Sequence, residues 1–573
     1  MNRRMRATGC IGALLLAVLA YFYALGSLGI PSNGDEFAYA HIARRTAESG
    51  HWLPLVSDMA NLRNTKPPLL FWQGILSTDW GQVWTLWRLR LPSVLYTLAS
   101  AALALIVVRR LTGSWERGAK AAIIYLGCYA VFRYGRPFLT DPPEVFWLSL
   151  PLVALLWTRG ALLGSRLLAP LAIGLVVGMA GLYKSFVVIL PVALAMCGWY
   201  VQQRRSLRSA AAAAAPAIAV MALVALAVFA IWPLLDPQPG AIWREFVLGE
   251  NAGKLDTARG YLRTLLWGGF SVPAFIGALF LNGGLLAPIL VALAIDGWRH
   301  RRELSPEERW LWLWVFGFLI AFALPSQRSG RYLLPVMPAL AVLTALAWPR
   351  LPRLAFVASA ALALLIGALF ALVSVLIARD TQLRIELPWG HWVVLAAALV
   401  LAAAALMVPR LAPATAPVSV LLLLLLMGIA LRTFDAPPGP FPAAARARLR
   451  GVAVYVPCNF SASEEGLRFL LPGADVRSYA EDEALTPAAL AARYRFFSAY
   501  VPLGAEAACD GCQVLGERYV VRGRRAAALA SDLQGSSALH DLFEREVLFE
   551  SSRAPLFVAP APEACAREAR HAP

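Results

Sequence analysis

Long apolar runs that alternate with short polar connections constrain this chain more than any other feature. A helix needs about 20 consecutive apolar residues to cross the hydrocarbon core of a bilayer. Charged residues make up only 15% of the 573 positions, whereas soluble domains carry about 25%. The chain is therefore predicted to be an all-α polytopic membrane protein with about 13 transmembrane helices. The runs lie near residues 9–29, 90–108, 119–135, 143–158, 167–183, 185–201, 212–233, 268–296, 310–325, 333–348, 354–378, 390–408 and 416–432.

The distribution of basic residues predicts how these spans are oriented. Lys and Arg number 52 against 35 Asp and Glu, which gives a net charge of +17. Because the arginines cluster at the ends of apolar runs, the positive-inside rule accounts for the excess and no nucleic-acid partner is expected. The N-terminus is expected in the cytoplasm and the chain in a bacterial inner membrane. Lys184 interrupts the apolar stretch 167–201, which forms either two spans or two broken half-helices.

The composition changes after the last apolar run. Residues 1–432 are expected to form the membrane domain, residues 433–449 a linker, and residues 450–573 an α/β domain, because short strand-like segments alternate there with helical ones. An odd number of spans that starts inside places this domain in the periplasm. Its four cysteines favour structural disulfides in that oxidising compartment, although a C-x-x-C pair alternatively matches a redox or metal half-site. They are Cys458, Cys509, Cys512 and Cys565.

The first external loop, residues 30–89, carries carboxylates directly beyond the first apolar run. Asp35 and Glu36 open an amphipathic segment, and Tyr39 lies four residues after Asp35 on the same helix face. A carboxylate at this boundary suits a general base that activates a hydroxyl nucleophile. Asp35 alternatively only caps the helix. His41 and His51 lie in the same loop, but their spacing matches no metal motif, and solvated histidines are the simpler interpretation.

The same loop carries Lys66-Pro67-Pro68 just before an apolar stretch, with Arg63 three residues before Lys66. An ammonium held by two prolines at the lipid–water boundary suits the phosphate of a lipid substrate. The alternative is that the prolines open a helix and the lysine snorkels to the interface.

Two further external segments add charge. Asp141 precedes two prolines at the start of the fourth predicted span, where it acts either as a helix cap or as a second carboxylate of the site. Arg328 and Arg331, followed by Tyr332, lie in a short external loop against the positive-inside trend. Their guanidinium groups match phosphate geometry, and contact with lipid headgroups is the alternative.

Together these motifs resemble C-type-fold membrane glycosyltransferases. The most similar group contains the bacterial lipid A aminoarabinose transferases and the dolichyl-phosphate-mannose–protein mannosyltransferases. The resemblance rests on Asp35-Glu36, on the sequence Lys66-Pro67-Pro68 with its apolar continuation, on Asp141, on residues 181–184 and on residues 331–339.

The resemblance implies an inverting transfer of a sugar from a polyprenyl-phosphate donor, such as undecaprenyl phosphate, to a lipid A-type glycolipid, a polysaccharide or a protein outside the cytoplasm. Asp35 is the implied general base and Asp141 a second carboxylate of the cavity. Lys66, with Arg328 or Arg331, is expected to bind the donor phosphate. The residues expected to contact the substrates are Glu36, Tyr39, Arg63 and Tyr332.

No cofactor is predicted, because the glutamate that the family carries before Lys66 is replaced by Thr65, and a divalent metal is therefore not supported by the motif. A transporter or flippase for a lipid-linked glycan is the alternative function. Transporters often show inverted repeats and charges buried within the membrane. No convincing repeat is present, and the charges lie at span ends, with Lys184 as the exception.

Overall fold

A computed structural model describes residues 3–29, 35–58, 63–204, 206–255, 261–379, 385–433, 441–458, 463–480, 486–502, 509–521 and 543–552. Most of this chain is helical. The first group of helices is α1 (Arg3–Phe22), α2 (Asp35–Glu48), α3 (Leu69–Ser77), α4 (Leu86–Thr112), α5 (Trp115–Gly127), α6 (Tyr129–Gly135), α7 (Asp141–Trp157), α8 (Leu168–Tyr183), α9 (Ile189–Gln203) and α10 (Leu207–Leu235). The second group is α11 (Pro239–Ile242), α12 (Tyr261–Leu266), α13 (Val272–Leu281), α14 (Ala287–Arg299), α15 (Pro306–Ala323), α16 (Met337–Ala347), α17 (Arg353–Arg379), α18 (Trp389–Met407) and α19 (Ala412–Thr433).

Shorter helical turns of other types connect these elements. A π-helix covers Trp243–Asn251, and five 3-10 turns precede or follow the longer helices. The 3-10 turns are Ala161–Gly164, Phe186–Val188, Ala252–Leu255, Gly284–Leu286 and Gly330–Val336. One large apolar core runs through the helical part, and a smaller one joins α2 and α3 to α4.

The helices have the length and hydropathy of a multi-pass membrane protein. Within the described residues, seven helices are long and apolar enough to cross a membrane, or eight if a bent pair counts as one span. Every predicted apolar run coincides with a helix or a pair of helices, but several are short, such as α8 with 16 residues. The multi-pass class is therefore confirmed, and the number of 13 spans stays a prediction.

Two apolar stretches differ in shape from a straight span. The run 268–296 was expected to be one helix, but it forms α13 and α14, which meet at an angle of 97°. Gly284 lies at the bend with a positive φ of 58°, and a Cβ there would lie 2.5 Å from Cβ of Tyr129, so this position requires glycine. The stretch 167–201 forms two helices, α8 and α9, with Lys184 directly after the first.

The first external loop folds back onto the membrane helices through a buried ion pair. Arg90 on α4 donates from Nε to Glu36 Oε1 at 2.6 Å and from Nη2 to Oε2 at 2.9 Å, and both side chains are fully buried. The backbone amide of Phe138 also donates to Glu36 Oε1, at 2.9 Å. Since a buried charge is stable only when it is paired and hydrogen-bonded, this pair fixes the start of α2 against α4.

The C-terminal part contains a small α/β unit, as predicted. Its sheet has the order β2-β1-β3-β5-β4, in which β1 pairs in parallel with β2 and β3, and β5 pairs antiparallel with β3 and β4. Phe441 and Leu449 are buried in its core, so the packed unit extends into the predicted linker. The elements are α20 (Ala443–Arg448), β1 (Ala453–Cys458), α21 (Ser463–Leu470), β2 (Asp475–Ala480), α22 (Pro487–Arg493), β3 (Phe496–Pro502), β4 (Cys512–Val521) and β5 (Phe543–Ser551).

One disulfide joins two of the four cysteines of this unit. Cys509 and Cys512 form it at the start of β4. Cys565 lies outside the described residues, as does the side chain of Cys458, so a disulfide that involves them stays a prediction.

The C-terminal unit contacts α2 through a charged cluster at the start of α21. Glu465 is fully buried and accepts hydrogen bonds from Arg44 Nε at 2.9 Å, and it lies 3.1 Å from His41 Nδ1. Burial opposes its ionisation, but the hydrogen bond with His41 and the charge of Arg44 outweigh burial and lower the pKa of Glu465 to about 2. Phe469 stacks on Trp84 at 5.7 Å between ring centroids. These contacts join α21 to the first external loop.

Removing the buried Glu36 charge is expected to destabilise the protein strongly. Glu36→Gln leaves Arg90 buried without its counter-ion, which costs about 3–5 kcal/mol. Glu48→Gln is the matched control, because Glu48 pairs with Arg44 and Arg45 but is 46% exposed, and exposed pairs contribute about 1 kcal/mol or less. Thermal unfolding of the purified variants in detergent measures both effects. A Glu36→Gln shift no larger than that of Glu48→Gln would contradict the assignment.

Stability is also expected to depend on the ionisation of Glu464. Burial raises the pKa of Glu464 from 4.5 to about 7, and its Oε2 has no hydrogen-bond partner. A raised carboxyl pKa favours the folded state when the group is protonated, so this contribution is complete below pH 4.5 and is lost as the pH rises through about 7.

The comparison of wild type with Glu464→Gln isolates this effect. Glutamine does not titrate, so the variant is expected to gain stability relative to wild type between pH 5 and pH 8, by at most about 3 kcal/mol. Unfolding temperatures measured across that range test the expectation. Parallel pH curves for the two proteins would show that Glu464 does not titrate there.

Candidate functional site

Arg331 binds two other residues, Asp35 and Asp141, and the sequence predicts that all three act in one site. Its Nε and Nη2 donate to Asp141 Oδ2 at 2.8 and 2.6 Å, and its Nη1 donates to Asp35 Oδ2 at 2.5 Å. Asp35 is the first residue of α2, Asp141 the first residue of α7, and Arg331 lies in the 3-10 turn before α16. Positions 35, 141 and 331 are therefore neighbours in space, although they are far apart in the sequence.

Lys184 completes this charged cluster from the end of α8. Its Nζ donates to Asp141 Oδ1 at 2.9 Å and to Glu144 Oε2 at 2.7 Å. The ammonium also lies 5.9 Å from the centre of the Tyr332 ring, which places Tyr332 at the edge of the cluster. Sequence reasoning assigned no role to Lys184 or Glu144. The available signal was a lysine that interrupts an apolar stretch, because charges inside membrane segments are usually paired and functional.

The carboxylates of the cluster differ in their access to solvent. The Asp35 side chain is 44% exposed, whereas the Asp141 side chain is 2% exposed. Asp35, Asp141 and Glu144 carry three negative charges against two positive charges on Arg331 and Lys184. Of these carboxylates, Asp35 is therefore the one that can meet an incoming molecule, while Asp141 holds the two cations in place.

Lys66 lies in a second charged pair beside the same cluster. Its Nζ donates to Glu250 Oε1 at 2.7 Å and to the carbonyl of Thr65 at 2.8 Å. Burial raises the pKa of Tyr39 well above its usual range, and the nearby carboxylates of Asp35, Asp141 and Glu250 add to this effect while Arg331 opposes it. The Tyr39 phenol therefore lies within electrostatic range of both the Arg331 cluster and the partner of Lys66.

Arg63 connects the first external loop to the π-helix segment. Its Nη1 donates to Gln238 Oε1 at 2.9 Å, and its Nη2 lies 3.9 Å from Glu245 Oε1. The neighbouring Asn64 donates from Nδ2 to Glu245 Oε2 at 3.0 Å. This segment therefore packs over the Lys66 region, and the predicted substrate contact of Arg63 stays a prediction.

Two predicted site residues are placed in structural roles instead. Arg328 is 2% exposed, and its guanidinium donates to the carbonyls of Ala323, Thr264 and Phe270 at 2.7, 3.2 and 2.9 Å. Its donors are thus used by backbone carbonyls of neighbouring segments. Arg331 rather than Arg328 belongs to the charged cluster. Glu36 is likewise enclosed in the ion pair with Arg90 and presents no surface to a substrate.

The described residues contain no group of three or more His, Cys, Asp or Glu side chains arranged to hold a metal ion. His41 is bound by Glu465 and accepts from the Asp58 amide at 3.3 Å, which accounts for both ring nitrogens.

Comparisons with known proteins agree with the resemblance stated above. Residues 65–232 match the family model described as dolichyl-phosphate-mannose-protein mannosyltransferase, a range that includes Lys66, Asp141 and Lys184. The chain is 25% identical over 348 residues to the undecaprenyl phosphate-alpha-4-amino-4-deoxy-L-arabinose arabinosyl transferase 2 of Proteus mirabilis. It is 30% identical over 340 residues to the corresponding transferase 1 of Sodalis glossinidius.

These sequence matches are partial, whereas the structural match is nearly complete. The chain spans about 60% of the length of the Proteus relative and 58% of the Sodalis relative, with the same shares of its own length. Two crystal structures of ArnT from Cupriavidus metallidurans align with it. The structure in the apo state covers 96% of this chain with a TM-score of 0.57, and the structure bound to undecaprenyl phosphate covers 97% with a TM-score of 0.58, both at 18% identity.

At 18% identity the structural likeness establishes the fold alone, and the sequence matches add the family resemblance for the membrane part. The motifs around Asp35, Lys66, Asp141 and Arg331 thus occur in a chain whose helices and C-terminal sheet follow the ArnT arrangement. The chain is a membrane protein with the fold of ArnT, and its sequence resembles the aminoarabinose and dolichyl-phosphate-mannose-protein transferases.

Proposed function

We propose that this protein transfers a sugar from a polyprenyl-phosphate donor to a hydroxyl group of an acceptor outside the cytoplasm. The observation that carries the proposal is the Arg331 cluster, in which an accessible carboxylate, Asp35, is held beside cations at the ends of membrane helices. The similarity to named undecaprenyl-phosphate transferases supports the same activity. It gives no support to the alternative of a transporter or flippase.

Asp35 acts as the general base in this reaction. The acceptor hydroxyl gives its proton to the Asp35 carboxylate while its oxygen forms a bond to the anomeric carbon of the sugar. The bond from that carbon to the phosphate oxygen breaks at the same time, and the phosphate leaves with the electron pair. Because the hydroxyl attacks from the face opposite the leaving group, the configuration of the anomeric carbon inverts.

The cations near Asp35 stabilise the negative charge that develops on the leaving phosphate. Lys66 exchanges its contact with Glu250 for a phosphate oxygen, since both partners are partly exposed, at 15% and 29% of their side-chain surface. Arg331 remains bound to Asp141 and orients Asp35, so its second contact positions the base. Preorganised cations that face developing charge are among the largest contributions to catalysis.

The proposed acceptor is a lipid A-type glycolipid. A polysaccharide or a protein could accept the sugar through a hydroxyl group in the same reaction. The proposed location is the bacterial inner membrane, with the N-terminus in the cytoplasm and the C-terminal domain in the periplasm. The basic predicted internal connections support this orientation. No metal or other cofactor takes part in the proposed steps.

Replacement of Asp35 tests the proposal most directly. Asp35→Asn keeps the shape of the side chain but removes the base, so the rate of transfer is expected to fall by about 10²–10⁴-fold. The measurement is transfer of radiolabelled sugar from polyprenyl-phosphate donors to a crude pool of envelope lipids and proteins by the purified full-length protein.

Asp58→Asn is the matched control for this experiment. Asp58 lies in the same external loop and pairs with Arg45, and its side chain is 25% exposed. The control is expected to keep the wild-type rate. Wild-type activity of a folded Asp35→Asn protein would remove Asp35 as the base, and inactivity of the wild-type protein with every donor would refute the transferase itself.

A further inference from the structure

Most cations of the candidate site already have partners. Arg331 is shared by Asp35 and Asp141, Lys184 by Asp141 and Glu144, and Lys66 is bound to Glu250. Because the Arg331 cluster holds one more carboxylate than it holds cations, it does not by itself present net positive charge to a phosphate. A further cation whose charge is not already neutralised would therefore add to the contact proposed for Lys66 in the binding of a phosphate.

Arg133 on α6 is such a cation. Within the described residues its guanidinium makes no hydrogen bond and no ion pair, and it lies 5.2 Å from the centre of the Tyr134 ring. The side chain is partly buried. Its nitrogens are not among the buried polar atoms that lack a partner, so the N–H groups of this guanidinium are open to an incoming anion.

The same aromatic ring also contacts the site. The Arg331 guanidinium lies 5.3 Å from the centre of the Tyr134 ring. Tyr134 therefore joins the two arginines, one neutralised by two aspartates and the other without a partner. This arrangement places the charge of Arg133 on the same aromatic ring as Arg331, which in turn binds Asp35.

The backbone around Arg133 is fixed by its neighbours. The Ala130 amide donates to the Asn282 carbonyl at 3.0 Å, and the Gly135 carbonyl accepts from Thr97 Oγ1 at 2.9 Å. The start of α6 also packs directly against Gly284, at the bend between α13 and α14. The backbone of α6 that carries Arg133 is therefore held in place before any ligand arrives, which lowers the cost of ordering this residue on binding.

We propose that Arg133 binds a phosphate oxygen of a substrate at this site, beside Tyr134 and Arg331. The inference rests on the proposed transferase function and adds to it a residue that the motifs do not contain. A guanidinium presents paired N–H donors that match a phosphate group, and such charge-assisted bonds are strong. The phosphate belongs either to the polyprenyl donor or to a phosphorylated glycolipid acceptor, and the experiment separates these sources.

The test measures binding of three probes to the purified full-length protein in a maltoside detergent, which contains no phosphate. The probes are undecaprenyl phosphate, undecaprenol without the phosphate, and a bisphosphorylated lipid A disaccharide. The variants are Arg133→Gln, which removes the charge, and Arg133→Lys, which keeps it. Arg109→Gln is the matched control, because Arg109 also stacks on an aromatic ring, Trp115 at 3.7 Å, but lies at the other end of α4 from the site.

Arg133→Gln is expected to weaken the binding of one phosphorylated probe about tenfold, with undecaprenol unaffected. Arg133→Lys should retain most of the affinity, and Arg109→Gln all of it. The phosphorylated probe whose affinity falls identifies the source of the phosphate. Unchanged affinity for both phosphorylated probes would overturn the inference and leave Arg133 as a contact for lipid headgroups only.

Two other outcomes are also decisive. An equal loss of undecaprenol binding would show that Arg133→Gln disturbs the fold rather than a phosphate contact, and this too overturns the inference. Failure of the wild-type protein to bind either phosphorylated probe would refute the proposed function itself, whereas wild-type binding with an unaffected variant refutes only the role of Arg133.

Discussion

The attachment of Arg331 to two aspartates from distant parts of the chain organises the candidate site. The Arg331 guanidinium donates hydrogen bonds to Asp141 on one side and to Asp35 on the other, so the start of α7, the start of α2 and the turn before α16 meet at one point. Asp141 is buried and also binds Lys184, which ties the end of α8 to the same point. Four helices are thus positioned by charges that would be costly to bury separately.

The two aspartates differ in their exposure to solvent, not in their chemical type. Both are carboxylates on the same arginine, yet Asp141 is enclosed and Asp35 remains partly open. The enclosed group binds both Arg331 and Lys184 and so orients these two cations. The open group keeps contact with solvent while its direction is set by Arg331. A base that is held in place before the substrate arrives loses less freedom during the reaction.

The class of fold and three residues of the Arg331 cluster were predictable from the sequence, whereas the contacts of the individual residues were not. Asp35, Asp141 and Arg331 could be identified because a charged side chain at the end of an apolar run costs free energy of desolvation unless it has a structural or functional role. Their contacts could not be read from spacing, since they come from segments separated by more than a hundred residues. Arg328 and Glu36 were assigned to substrate for the same reason, but their partners are backbone carbonyls and Arg90, which only the tertiary structure supplies. The bend at Gly284 was also hidden, because a continuous apolar run has the same periodicity whether its helix is straight or broken.

Helix α2 connects the Arg331 cluster to the C-terminal unit, and this connection limits how either part can change. One end of this helix carries Asp35 in the charged cluster. Its later turns carry His41 and Arg44, which bind Glu465 of the C-terminal unit. A helix of 14 residues therefore links the C-terminal unit to the carboxylate of Asp35. Exchanging the C-terminal unit for that of a relative would alter the contacts that hold this helix, so the two parts are constrained to vary together across their shared surface.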